Sequence, residues 1–105
     1  MPILKFNKNW NRKLDCENFT TFRLNGDYHR KGQVYDIELN GTAIGRGICL
    51  DKKVLKLEQV NDWIAALDAA TDAKGFKEIV KVMYKNKVPD VDTADFCLLL
   101  IKKLK

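Results

Sequence analysis

The first half of the chain alternates apolar and polar positions in the manner of β-strands. This pattern predicts strands over residues 3–6, 19–24 and 34–39, with polar turns between them. Asn40-Gly41 separates the third strand from a further apolar run over residues 42–44. Such a pair is the strongest short-range signal of a β-hairpin, because both turn positions need positive φ. Gly45 and Gly47 in the return strand predict a bulge or a close approach of two backbones. The return strand is expected to continue through residues 48–50, and 54–55 fit its extension.

The second half changes to a helical period. One apolar stripe runs over residues 57–67 and a second over residues 76–83, and Thr71 is placed to cap the second helix. An additional short helix is expected to carry Trp10 and Leu14, with Asn7 or Asn9 as its cap. Pro89 ends the helical region, and the apolar run over residues 96–101 predicts a buried central strand.

The order of these elements favours one α+β domain over residues 1–105. Consecutive hairpin strands with one long return predict a small, curved, mostly antiparallel sheet or barrel with helices packed against it. Trp10, Trp63 and Tyr84 are expected to pack in or beside the core. The core itself is predicted to include Phe6, Phe22, Ile37, Ile44, Val60, Ile64, Phe76, Ile79, Val80, Met83, Leu98 and Leu100.

Composition adds a modest basic balance to this picture. Of the 105 residues, 19 are Lys or Arg and 14 are Asp or Glu, which gives a net charge of +5. This charge favours polyanionic partners such as RNA or DNA, although a solvated lysine-rich surface explains it equally well. The longest apolar run is far shorter than a membrane span, and no leader-like segment is visible at the start. We therefore expect a cytoplasmic protein with no membrane partner.

Cysteine and histidine usage excludes several kinds of chemistry. The chain has three cysteines, one histidine and no serine. Four-ligand zinc sites, disulfide frameworks and Ser-His-Asp triads are therefore not expected. No glycine-rich phosphate loop is present either. From these features together, we expect neither a metal nor a cofactor. Cys49 and Cys97 should be buried, whereas Cys16 lies in a polar stretch and should be exposed.

Residues 13–23 resemble the signature of the ASCH family. This segment reads KLDCENFTTFR, and the family pattern is Leu-x-Gly-x-Lys-Thr-x-Thr-Ile-Arg, running from a helix into a barrel strand. Residues 31–35, KGQVY, are similar to the family's Lys-Gly-Asp-x-Tyr/Leu. An acid at residue 68 before the second helix, and the last strand over residues 95–101, fall where the family has equivalent segments. The resemblance covers most of the chain.

The resemblance implies a fold and a ligand class. ASCH domains have a PUA-like pseudo-barrel, here of five to six mostly antiparallel strands with about three short helices. They handle RNA or modified nucleosides in a cleft between barrel and helices. One short branch comprises acetylcytidine amidohydrolases, which are proposed to use a Lys, a Thr and an acid. By position, the family Thr falls on Thr21 and its Lys on Asn18. The acid falls on Asp68, and Asp72 also fits the spacing.

Asn18 changes what chemistry the resemblance allows. A threonine hydroxyl needs a nearby base to act as a nucleophile, and an asparagine side chain cannot accept a proton near neutral pH. Lys13 lies five residues earlier and would replace the family Lys only along an unusual backbone path. Cys16 stands in place of the family glycine and is a second departure.

Two functions therefore remain, with a protein-interaction scaffold as a weaker third. The first is binding of RNA or a modified nucleoside, with ligand contacts from Lys13, Asn18, Thr20 and Arg23. The alternative is an amidohydrolase acting on acylated pyrimidine nucleosides, with Thr21 and Asp68 as its catalytic groups. The oligomeric state is open.

Each of these residues also has an ordinary structural explanation. Thr20 and Thr21 occur where β-propensity alone would place them. The side chain of Arg23 fits a phosphate or a base, and fits equally well an ion pair with Asp36 or Glu38. Asp68 falls near the end of its predicted helix and could simply close it.

Overall fold

A computed structural model describes residues 2–104, so the predicted domain limits at residues 1 and 105 lie outside the described part. This described part forms five strands and two α-helices. Two short 3-10 segments complete it. The elements are β1 (Ile3–Phe6), a 3-10 segment (Trp10–Asp15), β2 (Asn18–Leu24), β3 (Val34–Leu39), β4 (Thr42–Leu55), a 3-10 turn (Leu57–Gln59), α1 (Asp62–Ala69), α2 (Ala73–Tyr84) and β5 (Phe96–Leu104).

The five strands form one mixed sheet in the order β1-β3-β4-β5-β2. Only the β1–β3 pair is parallel, and the other three pairs are antiparallel. The sheet curls into a half-barrel, and its two edge strands, β1 and β2, approach each other without forming a ladder. The expected α+β class with a curved, mostly antiparallel sheet is confirmed.

The two faces of the sheet support separate cores. The first lies inside the curl and comprises buried residues such as Leu4, Phe19, Tyr35, Leu99 and Ile101. The second lies between the outer face and the helices and includes Phe22, Val60, Phe76, Val80 and Phe96. Cys49 and Cys97 are buried in the first core, and Cys16 is exposed, as expected.

The hairpin and the bulge predicted for β3 and β4 are both confirmed. Asn40 and Gly41 have φ of 52° and 80°, as a two-residue turn with positive φ at both positions requires. Ile37 pairs with Gly45 while the next residue, Glu38, pairs with Ala43, so Ile44 is the extra residue of a bulge. The bulge puts Ile44 out of phase, and its side chain is 42% exposed. The prediction that Ile44 belongs to the core is wrong.

Gly47 marks the close approach that the glycine pattern predicted. A Cβ at this position would lie 2.6 Å from Cγ2 of Ile101 on the neighbouring strand. This contact is too short for an ordinary side chain, so a glycine is needed where β4 crosses the first core.

The helical region begins with two elements where the sequence predicted one helix. The stripe over residues 57–67 is split into a 3-10 turn and α1, because the side chain of Asn61 accepts the N–H of Ile64 at 3.0 Å and caps a new helix. Trp63 is 79% exposed, so the expectation that it packs beside the core is wrong. At α2, Asp72 rather than Thr71 caps the helix and accepts the N–H of Gly75 at 2.8 Å.

Two further core predictions are wrong. Leu100 is 37% exposed because the helices cover only the Phe96 and Leu98 end of this face of β5. Met83 is 50% exposed because it borders an open cavity rather than a packed core. Within residues 2–104, none of the helices is both long enough and apolar enough to cross a membrane.

His29 is buried in the loop between β2 and β3. The Tyr35 hydroxyl donates to the carbonyl of Tyr28 at 3.2 Å, so it accepts from Nδ1 of His29 at 3.1 Å. Burial, together with the positive charges of Arg23 and Lys52, lowers the pKa of His29 from 6.5 to about 4.

This burial predicts a pH dependence of stability. The unfolded chain binds a proton at His29 below a pH of about 6.5, whereas the folded chain resists doing so down to a pH of about 4. The free energy of unfolding should therefore decrease as the pH falls through this window. Urea titrations at several pH values should show a shallower decrease for His29→Gln. Parallel curves for the two proteins would contradict the assignment.

Candidate functional site

A cavity of about 610 Å³ opens where the two edge strands meet α2. The cavity lies beyond the edge of β2, so side chains from both faces of this strand line it, namely Phe22 from one face and Thr21 and Arg23 from the other. Its aromatic lining comprises Phe6, Trp10, Phe22, Tyr28, Phe76 and Tyr84. Its charged lining comprises Lys5, Lys8, Lys13, Arg23, Asp68 and Lys87.

Lys13 reaches this cavity through an irregular backbone. Within the 3-10 segment, Asn11 and Arg12 have φ of 55° and 53°, a left-handed conformation that non-glycine residues seldom adopt. The side chain of Asn11 donates to the carbonyl of Ala66 in α1 at 3.2 Å, and the side chain of Asn9 accepts the N–H of Leu14 at 2.9 Å. These contacts hold the segment against α1 and direct Lys13 inward.

The Lys13 ammonium forms a buried ion pair with Asp68. Nζ donates to Oδ1 of Asp68 at 3.1 Å, and the two side chains are 5% and 8% exposed. The hydroxyl of Thr20 donates to the same oxygen at 3.0 Å. The pair, together with Thr20, therefore joins the 3-10 segment, β2 and α1 at one point. Asp68 thus does more than close the end of its helix, which was the structural role that the sequence allowed.

Burial acts on both members of this pair. It lowers the pKa of Lys13 and raises the pKa of Asp68, because both charged forms lose water. Their mutual attraction and hydrogen bond oppose these shifts.

Thr21 and Arg23 lie on the face of β2 opposite to Phe22, as the period of two predicts. Nε of Arg23 donates to Oγ1 of Thr21 at 3.1 Å, and Nη2 donates to the carbonyl of Lys5 across the sheet edge at 3.0 Å. The guanidinium lies 4.6 Å from the centre of the Phe6 ring. Arg23 is thus held between β1 and β2, in the wall of the cavity.

The structure separates the remaining residues suggested by the resemblance. Asn18 is exposed at the start of β2, opposite Lys102 of β5, and is not part of the cavity lining. Asp72 is occupied as the cap of α2, so of the two acids only Asp68 lines the cavity. Thr20 contacts the site through Asp68.

Several lining residues were not found by sequence reasoning. Tyr28 and Lys87 come from loops whose course the pattern did not predict. The one signal for Lys87 was the excess of lysines over residues 73–89. Arg12 is not part of the lining and pairs with Asp15 at 3.5 Å on the surface. Within the described chain, no group of three or more His, Cys, Asp or Glu side chains is placed to hold a metal.

The buried pair should dominate local stability. Lys13→Met leaves the carboxylate of Asp68 without its cation and should lower the free energy of unfolding by about 3–5 kcal/mol. Adding Asp68→Asn removes that charge and retains an oxygen to accept the hydroxyl of Thr20. The double variant should therefore be more stable than Lys13→Met alone, as measured by urea denaturation.

The exposed pair between Lys81 and Asp92 provides a matched control. Its atoms are 3.6 Å apart and its side chains are 53% and 67% exposed. Lys81→Met should change stability by less than about 1 kcal/mol. Equal effects at Lys13 and Lys81 would show that the Lys13–Asp68 pair is not buried as described.

The chain was compared with known proteins for independent guidance on this site. No protein-family model matches the sequence, and no curated protein or solved structure matches it either. The function of the cavity must therefore be argued from its own geometry.

Proposed function

We propose that this chain is an ASCH-like domain with a PUA-like fold, and that it binds a modified nucleoside, free or within RNA, in the cavity. The observation that carries the proposal is the combination of aromatic rings, a buried Lys13–Asp68 pair and a held Arg23 around one space. The curled five-stranded sheet with helices on its outer face supports the fold assignment.

The size and lining of the cavity suit a single base better than a stretch of polymer. Small-molecule sites measure about 300–1,000 Å³ and combine apolar walls with a few placed polar groups. The rings of Trp10 and Tyr28 offer surfaces for stacking, and Thr21 and Arg23 offer hydrogen bonds to a base edge. A base within RNA would enter this site only after leaving its stack.

The two tryptophans allow a direct test of where a nucleoside binds. Trp10 lines the cavity, whereas Trp63 is exposed on α1 and absent from the lining. In Trp63→Phe, Trp10 is the sole tryptophan, and titration with cytidine or N4-acetylcytidine should change its emission to saturation. In Trp10→Phe, the remaining Trp63 should not respond.

Calorimetry on the unaltered protein provides the reference for this test. Its Kd for the nucleoside should equal that of Trp63→Phe, because Trp63 contributes nothing to the cavity. Saturable binding reported by Trp63 alone, or no heat with either nucleoside or with its 5′-monophosphate, would overturn the proposal.

A second function, hydrolysis of acylated pyrimidine nucleosides, is favoured by the position of Lys13. Sequence alone placed Asn18 where the resemblance requires an amine. The left-handed residues Asn11 and Arg12 instead bring the Lys13 amine into the cavity that Thr21 and Asp68 also line. The three types of group required by the resemblance are thus present in one cavity, with Lys13 in place of the missing lysine.

In this reaction, the Thr21 hydroxyl attacks the carbonyl carbon of the N-acyl group. The carboxylate of Asp68, paired with Lys13, accepts the hydroxyl proton, and the guanidinium of Arg23 stabilises the oxyanion that forms. Collapse of the intermediate releases the nucleoside amine, which takes up the proton. Water then attacks the acyl-threonine ester, giving a carboxylic acid and restoring the hydroxyl.

Release of cytidine from N4-acetylcytidine tests this second function. Thr21→Val keeps the shape of the side chain and removes its hydroxyl, so turnover should fall by at least about 100-fold. Lys81→Ala, on the outer face of α2, should keep full turnover. Chromatography of the products measures both rates. The absence of turnover in the unaltered protein, or its survival in Thr21→Val, would exclude this mechanism.

A further inference from the structure

Arg23 carries a charge that no direct ion pair with the described residues neutralises. Its guanidinium has five N–H donors, and its bonds to Thr21 and Lys5 use two of them. No carboxylate among residues 2–104 forms an ion pair with it. Asp36, a partner that the sequence allowed, instead pairs with Arg46 at 3.1 Å.

The rest of the cavity increases this excess of positive charge. Lys5, Lys8 and Lys87 line the same space, and Asp68, its single acid among the described residues, is engaged by Lys13. Burial lowers the pKa of Arg23, although a guanidinium stays protonated at neutral pH. A half-buried cation in a cavity lined by further cations is costly unless an anion joins it.

The position of Arg23 is determined before any ligand arrives. The carbonyl of Lys5, the hydroxyl of Thr21 and the ring of Phe6 hold the guanidinium on three sides. A fixed, planar donor group matches two oxygens of a phosphate and loses little entropy on binding one.

We propose that Arg23 binds a phosphate of the ligand, with Lys5, Lys8 and Lys87 adding to the attraction, so that the cavity takes a nucleotide rather than an uncharged nucleoside. This inference rests on the proposed function, because the cavity's aromatic walls hold the base that carries the phosphate. Two sources supply this chemistry: the monoester of a free nucleotide and the diester of an RNA chain.

The decisive experiment compares ligands that differ only in phosphate. Calorimetry at low salt should give a Kd for cytidine 5′-monophosphate about 10- to 100-fold lower than for cytidine, as a charged hydrogen-bonded contact provides. The preference should almost disappear in Arg23→Gln. It should persist in Arg46→Gln, which removes an arginine that pairs with Asp36 outside the cavity.

The ratio of the two affinities within one variant separates recognition from folding. A partial loss of folded Arg23→Gln protein weakens both ligands equally and leaves their ratio unchanged. Lys87→Gln offers a second variant, since the Lys87 ammonium lies over the ring of Tyr84, 5.5 Å from its centre, and forms no ion pair within residues 2–104. This substitution should reduce the preference for the nucleotide several-fold and leave the contacts of Arg23 between β1 and β2 intact.

Each outcome decides the matter. Equal Kd values for cytidine and its monophosphate overturn the phosphate inference and leave the nucleoside proposal intact. Binding of neither ligand, with no Arg23-dependent binding of a cytidine dinucleotide, overturns both. Tighter Arg23-dependent binding of the dinucleotide than of the monophosphate supports the inference and identifies the RNA diester as the source. The reverse order identifies the free nucleotide.

Discussion

The edge between β1 and β2 is closed by side chains, and the cavity depends on this manner of closure. A complete barrel would join these strands by backbone hydrogen bonds and fill the space with packed residues. Here Arg23 reaches the carbonyl of Lys5, and the rings of Phe6 and Phe19 meet edge to face at 6.0 Å. These contacts hold the strands near each other without sealing them. The opening is therefore a consequence of the incomplete sheet, and α2 forms its remaining wall.

The charged side chains of the cavity are held in two different ways. Lys13 and Asp68 neutralise each other where the 3-10 segment, β2 and α1 meet. Their ion pair therefore stabilises the fold, and both side chains also line the cavity. Arg23 is held by a hydroxyl, a carbonyl and an aromatic ring, all of which position it without cancelling its charge. The more buried charges, those of Lys13 and Asp68, thus neutralise each other, whereas the less buried guanidinium of Arg23 keeps its charge.

The sequence predicted the parts of this structure that depend on local pattern. Alternation located the strands, and Asn40-Gly41 located the hairpin, because each signal lies within a few residues. Ile44 was misplaced because a bulge shifts the side-chain phase by one position, which alternation alone cannot show. Leu100 was misplaced because the extent of helix cover is a tertiary property. For the site, the pattern put Thr21 and Arg23 on one face. The arrival of Lys13 beside Asp68 depends on backbone angles that no spacing rule predicted.

The 3-10 segment has a consequence for how this chain can vary. Asn11 and Arg12 turn the backbone through two successive left-handed residues, and Lys13 follows at once. Inserting or deleting one residue between Asn9 and Lys13 would rotate the ammonium away from Asp68, whatever residues were present. Glycine at position 11 or 12 would adopt the same angles with less strain. In related chains, the length of this segment should therefore be kept more strictly than its composition, and an aligned gap there would mark a protein whose cavity works differently.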